Sequence, residues 1–492
     1  MQISIIDQQT IWDDQSLNLA GLSGLGVVTI GPKTFLVASG AAENGLSIFE
    51  ILPDGSLNFT DTISGAGLSG ADGVQIIEAG GNVYLIPEGQ FDADLGCYQL
   101  DATGQLSFVD SIPGGGGTGV SDSIEIGGQS FLFSAEWNQS GFESQSIASD
   151  GAITQLASYG DSAGQFLGDV SAIEAVNLRG KDYLFVASGV DAGIESYRIN
   201  ADGSLISVDQ VVPSEGGFSG ISDMAGIDAC GRSFLVVADA GTDSLLVYRV
   251  SKGGNLKLKE VLTDTNDLRI ANVQDVEVFE WQGRSFVVAG GGDDGFSVFE
   301  INKKGESTHL GTVADDFHTS LDNISSIAVQ VLPGEVQLFI GSDSEHGITR
   351  FSLTLDNGSN VIEGGKTNDI LTGTAGDDTI YGYGHRDTLH GEGGDDRLHD
   401  GRGRDEMWGG SGADVFVFTK DRSLDKIMDY ELGTDLIDLS DYPLLYHISD
   451  LVITPTADGA IIDVNGDLIE IHSTDGQPLQ ATDFLQDYFL FG

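Results

Sequence analysis

Residues 364–417 divide into six unbroken nonapeptides: GGKTNDILT, GTAGDDTIY, GYGHRDTLH, GEGGDDRLH, DGRGRDEMW and GGSGADVFV. Position six is aspartate in every block (Asp369, Asp378, Asp387, Asp396, Asp405, Asp414), and position eight is always Leu, Ile, Met or Phe. A pattern held in phase over six blocks restricts the segment to an architecture that itself repeats. Glycines early in a block permit φ > 0 and let carbonyl oxygens crowd together. Oxygens crowded around a carboxylate suit a hard cation, which takes about six to eight of them. The last three residues of a block make a short strand, with position eight turned to a thin apolar core. Stacked blocks then form a parallel coil with cations between its turns. Without cations the aspartates repel one another and the ordering of so much glycine goes uncompensated. The segment is therefore expected to fold only with metal.

The six blocks resemble the RTX (repeats-in-toxin) nonapeptide G-G-x-G-x-D-x-U-x, a calcium-binding repeat. The resemblance implies several Ca2+ ions held by the six position-six aspartates and nearby turn carbonyls, with Asp377 and Asp395 at position five as further candidates. Some positions depart from the pattern. Thr367 and His385 stand at the fourth-position glycine, and Asp400 replaces the first glycine of its block. Turns that contain them are expected to hold calcium less well.

The 492 residues carry a net charge of −54 and a pI near 4.1. Such acidity excludes nucleic acid as a partner, because binding it needs a basic face. It suits a protein in salty or calcium-containing medium, where carboxylates are screened or coordinated. The two cysteines, Cys97 and Cys230, show no metal-ligand spacing and are read as buried free thiols. The opening MQISIIDQQTIWDD has neither a basic n-region nor an apolar h-region, so it is not read as a secretory signal. No apolar run approaches the length of a transmembrane helix.

Extracellular calcium modules bind at roughly 10⁻⁴–10⁻³ M, which is of little use in a calcium-poor cytosol. RTX proteins resolve this by leaving the bacterial cell unfolded through a type I system with an uncleaved C-terminal signal. The resemblance thus implies a secreted, extracellular protein with the type I secretion machinery as a partner. DKIMDYELGTDLIDLSDY (425–442) is similar to the region that follows the repeats in secreted RTX proteases of the serralysin type, D-x-I-x-D-x-x-x-G-x-D-x-I-D-L-S. LVITPTADGAIIDVNGDLIEIHS (451–473) alternates apolar and polar residues around DG and NGD turns, as a hairpin or meander does. The closing DYFLFG resembles the family's terminal export signal.

A second repeat fills the first 355 residues. LSIFEI, LGCYQL, FESQSI, IESYRI, LLVYRV, FSVFEI and ITRFSL begin 47–52 residues apart. A second apolar run precedes each, and an earlier strand such as VQDVEVFEW opens the unit. A glycine turn and an alternating outer strand follow in six of the seven units. Four strands in a unit of about fifty residues make a propeller blade. The seventh unit lacks its outer strand, and ISIIDQQ (3–9) resembles the missing piece. The expectation is all-β: a seven-bladed β-propeller at 1–355, its last blade closed by the N-terminal strand. A parallel β-roll of RTX nonapeptides at 356–417 follows, then a β-rich cap and secretion-signal region at 418–492. SFLVVADAGTDSLLVYRVSKGGNLKLKEVL (233–262) also resembles blades of lactonase-type seven-bladed propellers.

No catalytic residues emerge. All eight histidines lie at or after His309, leaving six blades without one, and neither G-x-S-x-G nor H-E-x-x-H occurs. GGGGTG (114–119) lacks the lysine of a phosphate cradle. Acids recur at the inner strands: Asp72, Asp122, Asp169, Asp223, Asp275 and Asp322. They either converge on the channel to bind a cation or polarise a substrate, or they cap turns. Arg179, Arg232 and Arg284 are placed in turns away from the axis. Two functions stand. One is a secreted calcium-binding protein whose propeller binds an unknown extracellular ligand. The other is a secreted propeller hydrolase, lactonase- or esterase-like, which needs acids, an arginine and His318 or His346 at one channel mouth.

Overall fold

The computed structural model describes residues 3–491 apart from 14–16, 66–67, 69, 90–93, 114–117, 138, 163–164, 213–216, 230, 266, 317, 333, 356–360, 443–444 and 446. Residues 114–117 of the GGGGTG segment and Cys230 therefore lie outside the described residues. Two three-residue 3-10 turns aside, every helix or strand among the described residues is a strand. The chain divides into two compact units, Ile5–Thr354 and Leu355–Gly492 with Met1–Ser4.

The larger unit is a ring of seven four-stranded antiparallel sheets. Six of them are built from strands in chain order, at residues 22–64, 71–113, 118–159, 170–211, 221–263 and 273–314. The seventh takes Ile324–Val331, Val336–Ser342 and Gly347–Leu355, with the N-terminal strand Ile3–Trp12 on its outer edge. First strands of successive sheets pack against one another, and the first sheet meets the seventh in the same way, so these strands line the axis. Continuous apolar runs form the second strands because both of their faces are covered. Arg284–Gly291, for example, is buried at every residue. The cores lie between blades: Phe185 and Ala187 of the fourth pack with Leu235 and Val237 of the fifth. Leu36 and Phe49 of the first blade pack with Phe339 and Ile348 of the seventh. Outer strands have one wet face, so Leu256–Thr263 alternates residue by residue between half-buried and exposed.

The smaller unit is a coil of two parallel sheets. One is assembled from Val361–Glu363, Thr379–Tyr381, Arg397–His399, Val415–Val417, Leu436–Leu439 and Phe489–Phe491. The other runs through Ile370–Thr372, Thr388–Gly393, Glu406–Ser411 and Leu424–Tyr430, then ends in the hairpin strands Asp467–Ser473, Gly459–Val464 and Val452–Pro455. Two nonapeptides make one turn, so Thr379 sits opposite Arg397 and Thr388 opposite Glu406. Both sheets run on past residue 417. Position-eight residues Ile380, Leu389, Leu398, Met407 and Phe416 are wholly buried between the sheets, joined by Ile427 and Ile437. His390 stacks on Trp408 and His399 on Tyr381, at 4.5 and 4.3 Å between ring centroids.

Candidate metal centre

From Asp387 onward, each position-six aspartate reaches across one turn of the coil. Its Oδ1 accepts the backbone N–H of the aspartate one turn earlier. On one side Asp387 accepts from Asp369 at 2.8 Å, Asp405 from Asp387 at 2.7 Å and Asp425 from Asp405 at 3.0 Å. On the other, Asp396 accepts from Asp378 at 2.7 Å, Asp414 from Asp396 at 2.9 Å and Asp435 from Asp414 at 3.1 Å. The six sequence-predicted aspartates thus form two ladders. Asp425 and Asp435 extend them, and sequence reasoning missed both as site residues. Their spacing from the preceding rung is 20 and 21 residues instead of 18, which takes them out of the nonapeptide register. The signal was the D-x-I-x-D run itself, which holds Asp425, Asp429 and Asp435.

The second carboxylate oxygen turns into its own turn. Asp369 Oδ2 accepts the Gly365 N–H at 2.7 Å, and Asp378 Oδ2 accepts that of Thr374. In Asp387, Asp396 and Asp405 this oxygen is buried with no hydrogen-bond partner. Such orphaned anionic oxygens are costly unless a cation takes them. Position-one glycine makes the room: a Cβ at Gly391 or Gly409 would stand 2.1 Å from Oδ2 of Asp396 or Asp414. An all-oxygen donor set, orphaned carboxylate oxygens and space beside them fit calcium. When bound, calcium supplies the positive charge that offsets the stacked carboxylates. Burial first, then neighbouring carboxylates, push Asp396 and Asp425 up to about 8 and Asp405 and Asp414 up to about 7.

The position-five candidates form a parallel stitch. Asp377 Oδ1 accepts the Asp395 N–H and Asp395 Oδ1 accepts the Ala413 N–H, both at 2.7 Å. His385 adopts φ 84°, the conformation its consensus glycine would supply.

In the propeller, the inner-strand acids separate into two groups. Asp122, Asp223 and Asp275 line the axis, joined by Glu174 and Glu277, which sequence reasoning passed over. Each first strand bulges near its start, and counting from the bulge sets two tiers. Asp223 and Asp275 occupy the first tier; Asp122, Glu174 and Glu277 occupy the second. Asp169 instead holds a turn conformation at φ 50°, and Asp322 is exposed before its strand. Asp72 lies in the strand Ala71–Ala79, its side chain outside the described residues.

These acids fasten neighbouring blades together. Asp122 accepts the Ala175 N–H at 2.6 Å, Glu174 that of Gly226 at 2.8 Å, Asp223 that of Val276 at 2.9 Å and Asp275 that of Ile327 at 2.6 Å. Ser326 Oγ continues the series to the Leu25 N–H at 2.8 Å, across the closure of the ring. Burial pushes Asp122 up to about 6 and Glu277 up to about 8. The histidines stand elsewhere. His309 Nε2 pairs with Thr312 Oγ1 on an outer strand, His346 Nδ1 accepts the Gly21 N–H, and the His318 carbonyl accepts from Thr10. Arg284 is buried in a two-point pair with Glu300, and Arg232 donates to the Lys303 carbonyl. Cys97 is a free, buried thiol, pushed up to about 12 by burial.

The family model of the RTX calcium-binding nonapeptide repeat matches residues 355–389 and 381–416, and that of the lactonase seven-bladed β-propeller matches residues 175–320. The chain therefore carries RTX calcium-binding repeats and a lactonase-type seven-bladed propeller. No curated protein matches it. Among solved structures, a functionally unknown protein from Desulfotomaculum acetoxidans is similar at 16% identity, TM-score 0.45, over 63% of this chain and 93% of that one. A protein from Lactobacillus plantarum is similar at 14% identity, TM-score 0.45, over 60% and 86%. The periplasmic gluconolactonase PpgL of Pseudomonas aeruginosa is similar at 17% identity, TM-score 0.46, over 60% and 86%. Among the described residues no helix is long and apolar enough to cross a membrane.

Proposed function

We propose that this is a secreted bacterial calcium-binding protein whose coil folds on calcium after type I export and whose propeller binds an extracellular ligand. The observation that carries it is the pair of aspartate ladders with buried, unpartnered Oδ2 atoms on Asp387, Asp396 and Asp405. Asp369, Asp378, Asp387, Asp396, Asp405 and Asp414 are the ligands proposed, with Asp377 and Asp395 beside them, and Asp425 and Asp435 added. A low-calcium cytosol leaves those carboxylates repelling one another, so the segment stays unfolded until it meets calcium. The address in this reading is the region after the repeats, whose 425–442 run resembles that of secreted RTX proteases. Titrating the full chain with calcium and with magnesium, read by circular dichroism and by hydrogen exchange over 364–439, tests this. Protection that rises near millimolar calcium and not with magnesium supports it. Protection already complete in chelator refutes it.

The lactonase match over 175–320 supports a second reading, a secreted lactone or ester hydrolase. In that case the channel carboxylates would act as bases, with no histidine hydrogen-bonded to them among the contacts described. Assay of the full chain against a panel of lactones and esters separates the two. Turnover abolished by Asp275→Asn, which keeps the acceptor for the Ile327 N–H, would favour the hydrolase.

A further inference from the structure

The last gap on one side of the coil differs from the others. Oxygens of Asp400, Asp405 and Asp425 lie within 4.8 Å of one another, and all three residues are buried. Asp405 and Asp425 are successive rungs of a ladder, but Asp400 stands where its block would carry its first glycine. Asp400 Oδ1 accepts the N–H groups of Gly401 and of Thr419. Its Oδ2 has no partner, and neither has Asp405 Oδ2.

A fourth carboxylate, whose charge is felt by Asp425, comes from the C-terminal hairpin and stands beside that group of three. Asp467 opens the strand Asp467–Ser473, which runs parallel to Leu424–Tyr430 with Leu468 opposite Leu424 and Ile469 opposite Asp425. Asp467 is 3% exposed, and both of its oxygens lack a hydrogen-bond partner. The Tyr442 hydroxyl and the Arg422 amide approach it without closing a well-formed hydrogen bond. Tyr442 also lies in the field of Asp400 and Asp425. Among the charges that reach Asp467, the Asp421 carboxylate acts most strongly and Lys420 opposes it. Four buried carboxylates, three of them with orphaned oxygens, are a large uncompensated charge. The repeat explains two of them. It explains neither an aspartate in place of glycine nor a buried aspartate brought in from a hairpin.

We propose that Asp400, Asp405, Asp425 and Asp467 form a calcium site of their own, built from side chains, which fastens the C-terminal hairpin to the coil. It rests on the reading that the coil takes calcium. The gaps between repeats draw on two ladder carboxylates and turn carbonyls, whereas this site draws on four carboxylates. Affinity in oxygen sites rises with ligand charge, so it fills first.

Calorimetry of the full chain with calcium, paired with hydrogen exchange over 459–473, tests the site. The variants are Asp467→Asn, Asp400→Gly, which restores the repeat residue, and Asp387→Asn as a repeat-gap control. Wild type should show a tight class of calcium ahead of the rest, with hairpin protection gained as that class fills. Asp467→Asn and Asp400→Gly should weaken that class on the order of tenfold or more, and Asp387→Asn should leave it in place. In chelator, Asp467→Asn should protect the hairpin better than wild type, because a repelling carboxylate has gone. A structural role alone would lower protection equally with and without calcium, and that result would overturn the site. An unchanged tight class in Asp467→Asn would also overturn it, while leaving the repeat sites standing. A wild type indifferent to calcium would end both readings together.

Discussion

At the scale of single residues, the position-six aspartate has two separable tasks. Oδ1 holds the backbone of the preceding turn, and Oδ2 waits for charge. Asp396→Asn keeps an acceptor for the Asp378 N–H but removes charge from the gaps on both sides of it. The variant is expected to keep at least the wild type's residual structure in chelator and to need more calcium to fold, checked by circular dichroism across a calcium titration. The acids also give the metal-free coil a pH dependence of definite sign. Burial pushes Asp396, Asp405, Asp414 and Asp425 up to about 7 to 8 in the folded coil, against an ordinary value of 3.8. The folded state therefore binds more protons than the unfolded one. That contribution is complete below pH 3.8 and is lost as pH rises through 7 to 8. In chelator the coil should show more ordered structure at pH 5 than at pH 8.5, read by circular dichroism. With calcium present the order reverses, because ions displace the protons and bind more tightly as pH rises.

At the scale of elements, the blades are joined by carboxylates working as hydrogen-bond acceptors. Asp275→Asn retains an oxygen for the Ile327 N–H and relieves repulsion with Asp223, so Tm should hold or rise. Asp275→Ala leaves that N–H unanswered and should cost about 1–3 kcal/mol, measured by denaturant unfolding. Within the sixth blade, Arg284 and Glu300 are 7% and 5% exposed and bonded at two points, 2.9 and 2.6 Å. Replacing Arg284 alone by Met strands a buried carboxylate and should cost about 3–5 kcal/mol, whereas Arg284→Met with Glu300→Leu should recover most of it. In the coil, Met407 is wholly buried between the two sheets. Met407→Ala should cost about 2–5 kcal/mol, seen as a higher calcium midpoint for folding.

At the scale of the molecule, the N-terminal strand decides whether the ring is closed. Ile3–Trp12 pairs with Gly347–Leu355, joining the first strand of the chain to the last strand of the propeller. Deleting residues 3–12 would bare Gly347–Leu355 as an open edge. The truncated protein should melt lower and self-associate, which thermal unfolding and light scattering would show. A closure between sites more than 300 residues apart also makes propeller folding depend on late long-range pairing.

Much of this molecule was legible because both of its folds repeat. A nine-residue period with a fixed acid and a fixed apolar position dictates a coil. A period near fifty with four short strands dictates blades. Local physics carries each unit, and stacking copies it. What the sequence could not place is whatever breaks period or depends on a neighbour. Asp425 and Asp435 left the register through insertions, yet the coil returned them to the ladders. Asp122 and Asp169 looked alike as acids near inner strands. Only the position of the bulge turned one to the axis and left the other in a turn. Arg284 was read as a turn residue away from the axis, and the strand pairing within its blade buried it against Glu300. The chemistry of each repeat belongs to the residues themselves, since glycine freedom and carboxylate charge act within one block. Which carboxylates share a gap was decided by tertiary structure, because partners 18 to 21 residues apart, or 42 in the case of Asp425 and Asp467, meet only once the coil has wound.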